Sequence, residues 1–181
     1  MMRAKRKFYQ NWVLLVLGCV SLCACANHAL RKAQDQAVDV QAQGDLFLMG
    51  LHREYLGLSE HAYYAGRAQD VRVFSRKARM AADGVVPAPA HPTSRGLHVF
   101  YKPVPEIQEA HDRLMAFLNR SVDQAYPRRL ARAQGMYECW VAESRVDAES
   151  VRARQCQSHF EGVMGDIENL LHGGKIDVIV R

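Results

Sequence analysis

The stretch REYLGLSEHAYYAGRAQDVRVFSRKARMAADGVVPAP, Arg53 to Pro89, carries two runs of helical periodicity separated by one break. Apolar residues of the first run, which begins shortly before the stretch, recur at steps of three and four: Leu48, Leu51, Tyr55, Leu58, Ala62 and Ala65. AGR at 65–67 interrupts this pattern, and Gly84 follows the second run at a position that favours a helix end. The apolar positions of the second run are Val71, Phe74, Ala78 and Ala81. This spacing predicts two amphipathic helices joined as a hairpin.

A proline-rich connection follows the hairpin. The segment from Gly84 to Pro105 holds five of the chain's six prolines, which excludes a helix there. Its apolar residues are Leu97, Val99, Phe100 and Tyr101. Because these side chains offer surface to bury, we expect an ordered connection packed across the helices rather than a flexible linker. GVV and LHVFY are candidates for short extended pieces within it.

Two more helices are predicted directly after this connection. The third begins near Pro105, since proline is favoured in the first turn of a helix. Its apolar stripe comprises Ile107, Ala110, His111, Leu114, Phe117, Leu118 and Ser121. The fourth runs from about Asp123 to Glu143, with Pro127 in its first turn or at its start.

The fifth helix is predicted from about Ala148 to His172, with Asp147 as its N-cap. HGG should end it, and KIDVIV at 175–180 predicts a short strand. The fold class is therefore mainly α, built from helical hairpins. The first pair has a tetratricopeptide-like pattern with Gly66 at its turn, although such arrays usually need about three repeats.

The first 24 residues have the three zones of a secretory signal. Arg3, Lys5, Arg6 and Lys7 form a positive start. The uncharged run WVLLVLGCVSL at 12–22 is about half the ~20 residues that span a bilayer, so a permanent transmembrane helix is not expected. LCAC, Leu22 to Cys25, is similar to a bacterial lipobox, in which the cysteine receives a diacylglycerol, the chain is cut before it, and the new amino group is acylated.

We therefore expect lipidation of Cys25. VLGC makes Cys19 a competing site, but with a shorter apolar run before it. An ordinary secretory signal, with Cys25 free or paired, is the main alternative. A Cys-x-Cys metal site is disfavoured because no nearby histidine or cysteine completes a ligand set.

The predicted cleavage changes the charge balance. The chain has 24 Lys and Arg against 19 Asp and Glu, and four of the basic residues lie within 1–24, which holds no acid. The remaining 20 against 19 give +1, so the composition indicates no nucleic-acid surface. The predicted organisation is a signal over 1–24, a tether or the start of the first helix over 25–43, a helical domain over 44–172 and a tail over 173–181.

Cys139 and Cys156 remain after this processing and flank the break between the fourth and fifth helices. Two cysteines in an exported protein predict one disulfide. In an antiparallel hairpin, residues one or two turns from the bend face each other, and the two offsets here differ by about one helical turn. A redox pair is the alternative, but the Cys-x-x-Cys spacing that lowers a thiol pKa is missing. We expect a structural bond that links the C-terminal hairpin.

Two stretches resemble the amino-terminal region of proteobacterial OmpA-family lipoproteins. ECWVAESR followed by SVRARQC, Glu138 to Cys156, is similar to that family's DCW helix and following AC. Arg53 to Pro89 is similar to its tyrosine-rich helix, Gly turn and F-x-R-K-A-x-x-A-A-x-G helix, with a small shift at Phe74. The other matching positions are Arg76, Lys77, Ala78, Ala81, Ala82 and Gly84. With the lipobox, the resemblance covers nearly the whole mature chain and implies an envelope lipoprotein.

Members of that family normally continue into a carboxy-terminal α/β domain, in which an Asp and an Arg bind peptidoglycan. This chain ends at Arg181, where that domain would begin, and IDVIV matches at most a remnant of its first strand. No position here inherits the peptidoglycan-binding roles. The explanations left open are a partner that supplies the domain, a shortened gene and an anchored helical module that acts alone.

These features predict an outer-membrane lipoprotein that faces the periplasm and is attached to the membrane by lipid at Cys25. Ala26, rather than aspartate, follows that cysteine, which favours the outer membrane by analogy with enterobacterial sorting. Helical hairpins offer grooves for a partner helix or peptide, so we expect a structural or scaffolding contact with another envelope protein. The alternatives are a small-ligand carrier, which needs an apolar cavity, and an accessory factor of an envelope enzyme.

No enzyme motif stands out in the chain. The eight histidines occur at positions 28, 52, 61, 91, 98, 111, 159 and 172, without His-Glu-x-x-His, and Gly-x-Ser-x-Gly is missing too. His111 is expected to be a hydrogen-bonded core residue, and Glu138 and Glu143 to be surface charges rather than a general acid/base pair. We therefore expect no catalytic residue, no metal site and no cofactor.

Overall fold

The structure, a computed structural model, describes residues 27–34, 44–92, 105–119 and 125–176. This part of the chain contains no strand and six helices, namely α1 (27–34), α2 (Leu46–Tyr64), α3 (Ala68–Ala82), α4 (Pro105–Leu118), α5 (Pro127–Asp147) and α6 (Val151–Ile176). The predicted helical class is therefore confirmed. The predicted signal and lipobox, LHVFY at 97–101 and residues 177–181 lie outside the described residues.

Local sequence signals set the ends of α2 and α3. The carboxylate of Asp45 accepts hydrogen bonds from the N–H groups of Phe47 at 2.8 Å and Leu48 at 2.9 Å, which satisfies two donors that the first turn leaves free. Gly66 and Gly84 have φ of 70° and 81°, a backbone conformation that glycine adopts without a Cβ penalty. The two helices therefore end at the glycines that the sequence pattern indicated.

Polar side chains make contacts between α2 and α3. His52 Nδ1 lies 2.9 Å from the carbonyl oxygen of Ala78, and the hydroxyls of Ser59 and Ser75 lie 2.7 Å apart. Rising numbers on α2 thus meet falling numbers on α3, so the two helices are antiparallel. The likeness of this pair to a tetratricopeptide unit stays a prediction.

The second pair of helices, α5 and α6, differs from the prediction at its connection. Helix α5 begins at Pro127 and continues to Asp147, four residues beyond the predicted end. The hydroxyl of Ser150 accepts from the N–H of Ala153 at 3.0 Å and so caps α6. The prediction of Asp147 as the cap is wrong, because its carboxylate instead accepts from the N–H of Glu149, inside the connection.

Helix α6 does not stop at HGG. It runs through Gly173 and Gly174 to Ile176, so the predicted helix end is wrong, and the predicted strand is wrong for residues 175 and 176. A glycine ends a helix by taking the left-handed conformation, and neither glycine does so in this continuous α-helix. GVV, the other described candidate for an extended piece, forms no strand either.

Helices α2 and α5 run parallel and approach closely. Glu54 pairs with Arg132, and Tyr55 contacts Glu138, so numbers rise together along the two helices. A Cβ added at Gly50 would lie 2.6 Å from the Cβ of Ala131, closer than real contacts allow. The missing side chain at this position therefore lets the two pairs of helices pack through α2 and α5.

The core lies between these helices. Its largest fully buried side chains are Tyr55, Tyr137, Phe160, Leu51, Ile107, Leu114, Leu130, Met164, Ile167, Gln134, Val71 and Val141. Leu30 and Ala33 of α1 join the same cluster, and Ile107 and Leu114 bring in α4. Within the described ranges, no helix combines the length and the apolar character that crossing a membrane requires.

Candidate functional site

A buried carboxylate, Glu138, lies at the centre of a polar network in the core. Its Oε1 accepts hydrogen bonds from the ammonium of Lys77, from the hydroxyl of Tyr55 at 3.2 Å and from the N–H of Ala90 at 3.0 Å. Only 2% of Glu138 is exposed. A buried charge is tolerated when a countercharge and hydrogen bonds replace the lost water, and these three donors supply both.

The prediction that Glu138 is a surface charge is wrong. The residue lies four positions after Gln134 and three before Val141, both fully buried on α5. Charge alone indicated exposure, whereas the helical spacing from buried neighbours indicates the inner face. Glu143 is half-buried rather than exposed, so its prediction is corrected as well.

The same network binds the proline-rich segment at residues 87–90. Three of its carbonyls accept from helix side chains: Gln134 to Pro87 at 2.7 Å, Tyr137 to Ala90 at 2.7 Å and Lys77 to Ala88 at 2.8 Å. Gln134 also donates to the hydroxyl of Tyr55 at 2.8 Å. An irregular segment makes no regular backbone hydrogen bonds of its own, so these side chains supply partners for its carbonyl groups. The carbonyl of Pro87, in a buried contact with Gln134, most needs such a partner. This part of the connection is ordered across the helices, as the sequence predicted.

Tyr55 is held as a neutral phenol in this environment. Burial raises its pKa well above the ordinary value, and the negative charge of Glu138 raises it further. The ammonium of Lys77 lies 5.4 Å from the centre of the Tyr55 ring. A phenol that keeps its proton acts as a hydrogen-bond donor, so the Tyr55 hydroxyl helps to fasten α2 to α5.

A second ionic cluster lies at the turn between α2 and α3. The guanidinium of Arg67 donates to Glu143 Oε1 at 2.7 Å, and His61 Nε2 lies 3.3 Å from the same oxygen. Arg67 also lies 3.6 Å from Asp70. These contacts join the turn between α2 and α3 to α5, which makes Glu143 a structural partner.

Arg113 of α4 forms ion pairs with two glutamates of α6. Arg113 donates to both carboxylate oxygens of Glu168, at 2.8 and 3.0 Å, and also to Glu161. The hydrogen bonds to Glu168 are the main cause of a raised pKa of Arg113. A bidentate pair fixes orientation as well as distance, so it sets the position of α4 along α6.

His111 lies at the edge of the core, half-buried, and not within it as predicted. Its ring centre lies 5.4 Å from that of His91 and 5.9 Å from that of Tyr137. Its Nδ1 is 3.3 Å from Asp112, whose pKa is lowered by hydrogen bonds from Gln108 and His111. Among the described residues, no group of three His, Cys, Asp or Glu side chains is placed to hold a metal ion.

The predicted disulfide joins Cys139 of α5 to Cys156 of α6, with Cα atoms 5.7 Å apart. Both residues are buried in the core cluster. The bond links helices on either side of a short connection, which is a structural position. Cys25, the predicted lipidation site, lies outside the described residues.

A cleft of about 350 Å³ opens beside the disulfide, between α2, α5 and α6. Sequence reasoning missed it because its walls come from three separate helices. Glu54 lies in its wall, where burial raises the pKa of this carboxyl and the nearby charge of Arg132 partly opposes that rise. Arg132 donates to Glu54 Oε2 at 2.7 Å.

Comparison of the chain with protein-family models, curated proteins and solved structures finds no match in any of the three. The resemblance to OmpA-family lipoproteins therefore stays a prediction. The described residues themselves offer a core fastened by polar contacts, a disulfide and one cleft with a basic lining.

Proposed function

We propose that this protein is an outer-membrane lipoprotein, attached by lipid at Cys25, whose helical domain lies in the periplasm and binds another envelope protein without catalysing a reaction. The main support is the disulfide between Cys139 and Cys156, which lies within the packed core. Disulfides persist in oxidising compartments and are rare in the cytosol. The charged start, the apolar run and LCAC of the sequence agree with export and lipidation.

A role in binding another protein is supported by exposed apolar side chains at one end of the helical domain. Tyr63 and Tyr64 are exposed at the C-terminal end of α2, and Val146 and Val151 are exposed at the connection between α5 and α6. Because α2 and α5 run parallel, these four residues lie toward the same end of the domain. Exposed apolar side chains at one end of a domain favour contact with another protein.

Intact-mass measurement of the protein extracted from membranes of its native host tests the proposal. We expect loss of residues 1–24, addition of a diacylglycerol and an acyl chain, and a further loss of two hydrogens for the disulfide. The variant Cys25→Ala should accumulate uncleaved or outside the membrane fraction, because the acceptor sulfur is gone.

Cys23→Ala is the matched control. It turns LCAC into LAAC, which keeps an aliphatic residue, two small residues and the acceptor Cys25. This variant should be lipidated and should fractionate like the unchanged protein. Normal maturation of Cys25→Ala, or an unmodified Cys25 in native material, contradicts the proposed anchor.

A further inference from the structure

The cleft between α2, α5 and α6 combines a basic rim with an apolar floor. Its volume of about 350 Å³ lies in the range of small-molecule sites. Leu58 and Met136 are buried and line it, together with the Cys139–Cys156 disulfide. Gly57 also lines it, and a Cβ added there would meet nothing within 4 Å, so this wall is open toward the cleft.

The charges of the rim do not cancel. Arg53, Arg132 and Arg152 line the cleft against the single carboxylate of Glu54. Glu54 pairs with Arg132, whose guanidinium is thereby engaged. Arg53 and Arg152 supply a surplus of two positive charges when Glu54 is ionised, and both are exposed. His159, also in the lining, offers a further nitrogen to an anion.

We propose that this cleft binds a phosphate monoester, whose phosphate contacts Arg53 and Arg152 and whose ester group lies over Leu58 and Met136. A phosphate monoester carries about −1.5 to −2 charges at pH 7, which matches the surplus of the rim. A carboxylate supplies only one negative charge. Guanidinium groups present forked donors that suit phosphate oxygens, and the apolar floor favours an ester over the free ion. This inference does not depend on the lipid at Cys25.

Isothermal titration calorimetry on the full chain in non-ionic detergent tests the site. The probes are phenyl phosphate, inorganic phosphate, phenol and a soluble short-chain phosphatidic acid. We expect phenyl phosphate to bind more tightly than inorganic phosphate, phenol not to bind, and affinity to fall as salt rises. If the phosphatidic acid binds more tightly than phenyl phosphate, the natural source is a lipid headgroup; the reverse order indicates a free metabolite. Both orders support the proposed chemistry.

Charge variants locate the site. Arg53→Gln and Arg152→Gln should each weaken binding of phenyl phosphate about tenfold or more, because each removes a charged hydrogen-bond donor. Arg154→Gln is the matched control, since Arg154 lies on the same helix as Arg152, is exposed and contacts Glu149 rather than the cleft. The control should bind like the unchanged protein.

Shape variants test the same site without changing charge. Gly57→Ala should retain binding, whereas Gly57→Trp should abolish it by filling the cleft. Circular dichroism and the melting temperature show whether each variant is folded. The proposal is overturned if the unchanged protein does not bind phenyl phosphate at millimolar concentrations, or if all the folded variants bind it equally.

Discussion

The ammonium of Lys77 on α3 donates a hydrogen bond to the carboxylate of Glu138 on α5, with 16% and 3% of the two side chains exposed. The pair therefore connects the α2–α3 pair of helices to the α5–α6 pair at a place that is only partly open to water. Removing two charges from water costs free energy. The attraction between the charges offsets this cost only when additional hydrogen bonds contribute. Tyr55 and the N–H of Ala90 provide that help.

Removal of Glu138 should be costly. We expect Glu138→Ala to lower the free energy of unfolding by about 1–3 kcal/mol, because it leaves the Lys77 ammonium without its countercharge and the buried Tyr55 hydroxyl without this acceptor. Urea denaturation measures this difference. Glu149→Ala, which removes an exposed carboxylate, should change stability by no more than ~0.5 kcal/mol.

The double variant Lys77→Met/Glu138→Met distinguishes the loss of one charge from the loss of both. Because it removes both charges and fills the space with apolar groups, it should be more stable than Glu138→Ala. Equal losses in the two variants would show that the unpaired ammonium is not the cause.

Two glycines of α2 should respond in opposite directions to the same substitution. Gly50→Ala should destabilise the protein by about 1–3 kcal/mol, since the new Cβ would lie 2.6 Å from Ala131 and α5 would have to move. Gly57→Ala should stabilise it by about 0.5–1 kcal/mol, since its Cβ meets nothing and alanine restricts the unfolded chain. Thermal unfolding of both variants checks the signs. A stabilising Gly50→Ala would mean that α2 and α5 are not in close contact there.

Helix positions could be predicted from the sequence because they depend on local periodicity and end signals. Gly66 and Pro105 each occur where a helix ends or begins, and their preferences follow from backbone geometry. The end of α6 was missed for a related reason. HGG is an end signal only if a glycine becomes left-handed, and the sequence does not settle that choice.

The polar core and the cleft could not be predicted, because both depend on contacts between helices distant in sequence. Tyr55 and Glu138 are 83 residues apart, yet their side chains share a hydrogen bond. A single sequence does not specify which faces of α2 and α5 meet. Glu138 was therefore predicted to be a surface charge, and nothing in the sequence grouped the arginines of the cleft.

Reduction of the Cys139–Cys156 bond should weaken the fold measurably. The bond closes a loop with a sequence separation of 17, for which chain entropy gives about 3 kcal/mol. We expect a reductant to lower the urea midpoint of the unchanged protein. The variant Cys139→Ala/Cys156→Ala is the control, since its midpoint should not respond even though the other cysteines are kept. An equal response in both proteins would assign the effect to another cysteine.

The neutral phenol of Tyr55 should make the protein sensitive to alkaline pH. Burial first, and then the charge of Glu138, raise its pKa in the folded state well above the ordinary value of 10.0. Above pH 10 the unfolded chain therefore releases a proton that the folded chain keeps, so this residue lowers stability as pH rises beyond that point and has no such effect below it.

Near-ultraviolet absorbance should show part of the tyrosine ionisation only when the protein unfolds. In Tyr55→Phe that late step should be smaller, and stability should fall less steeply with pH above 10, although loss of the hydroxyl also lowers stability at neutral pH. Matching titration curves for the two proteins would contradict the assignment of this proton to Tyr55.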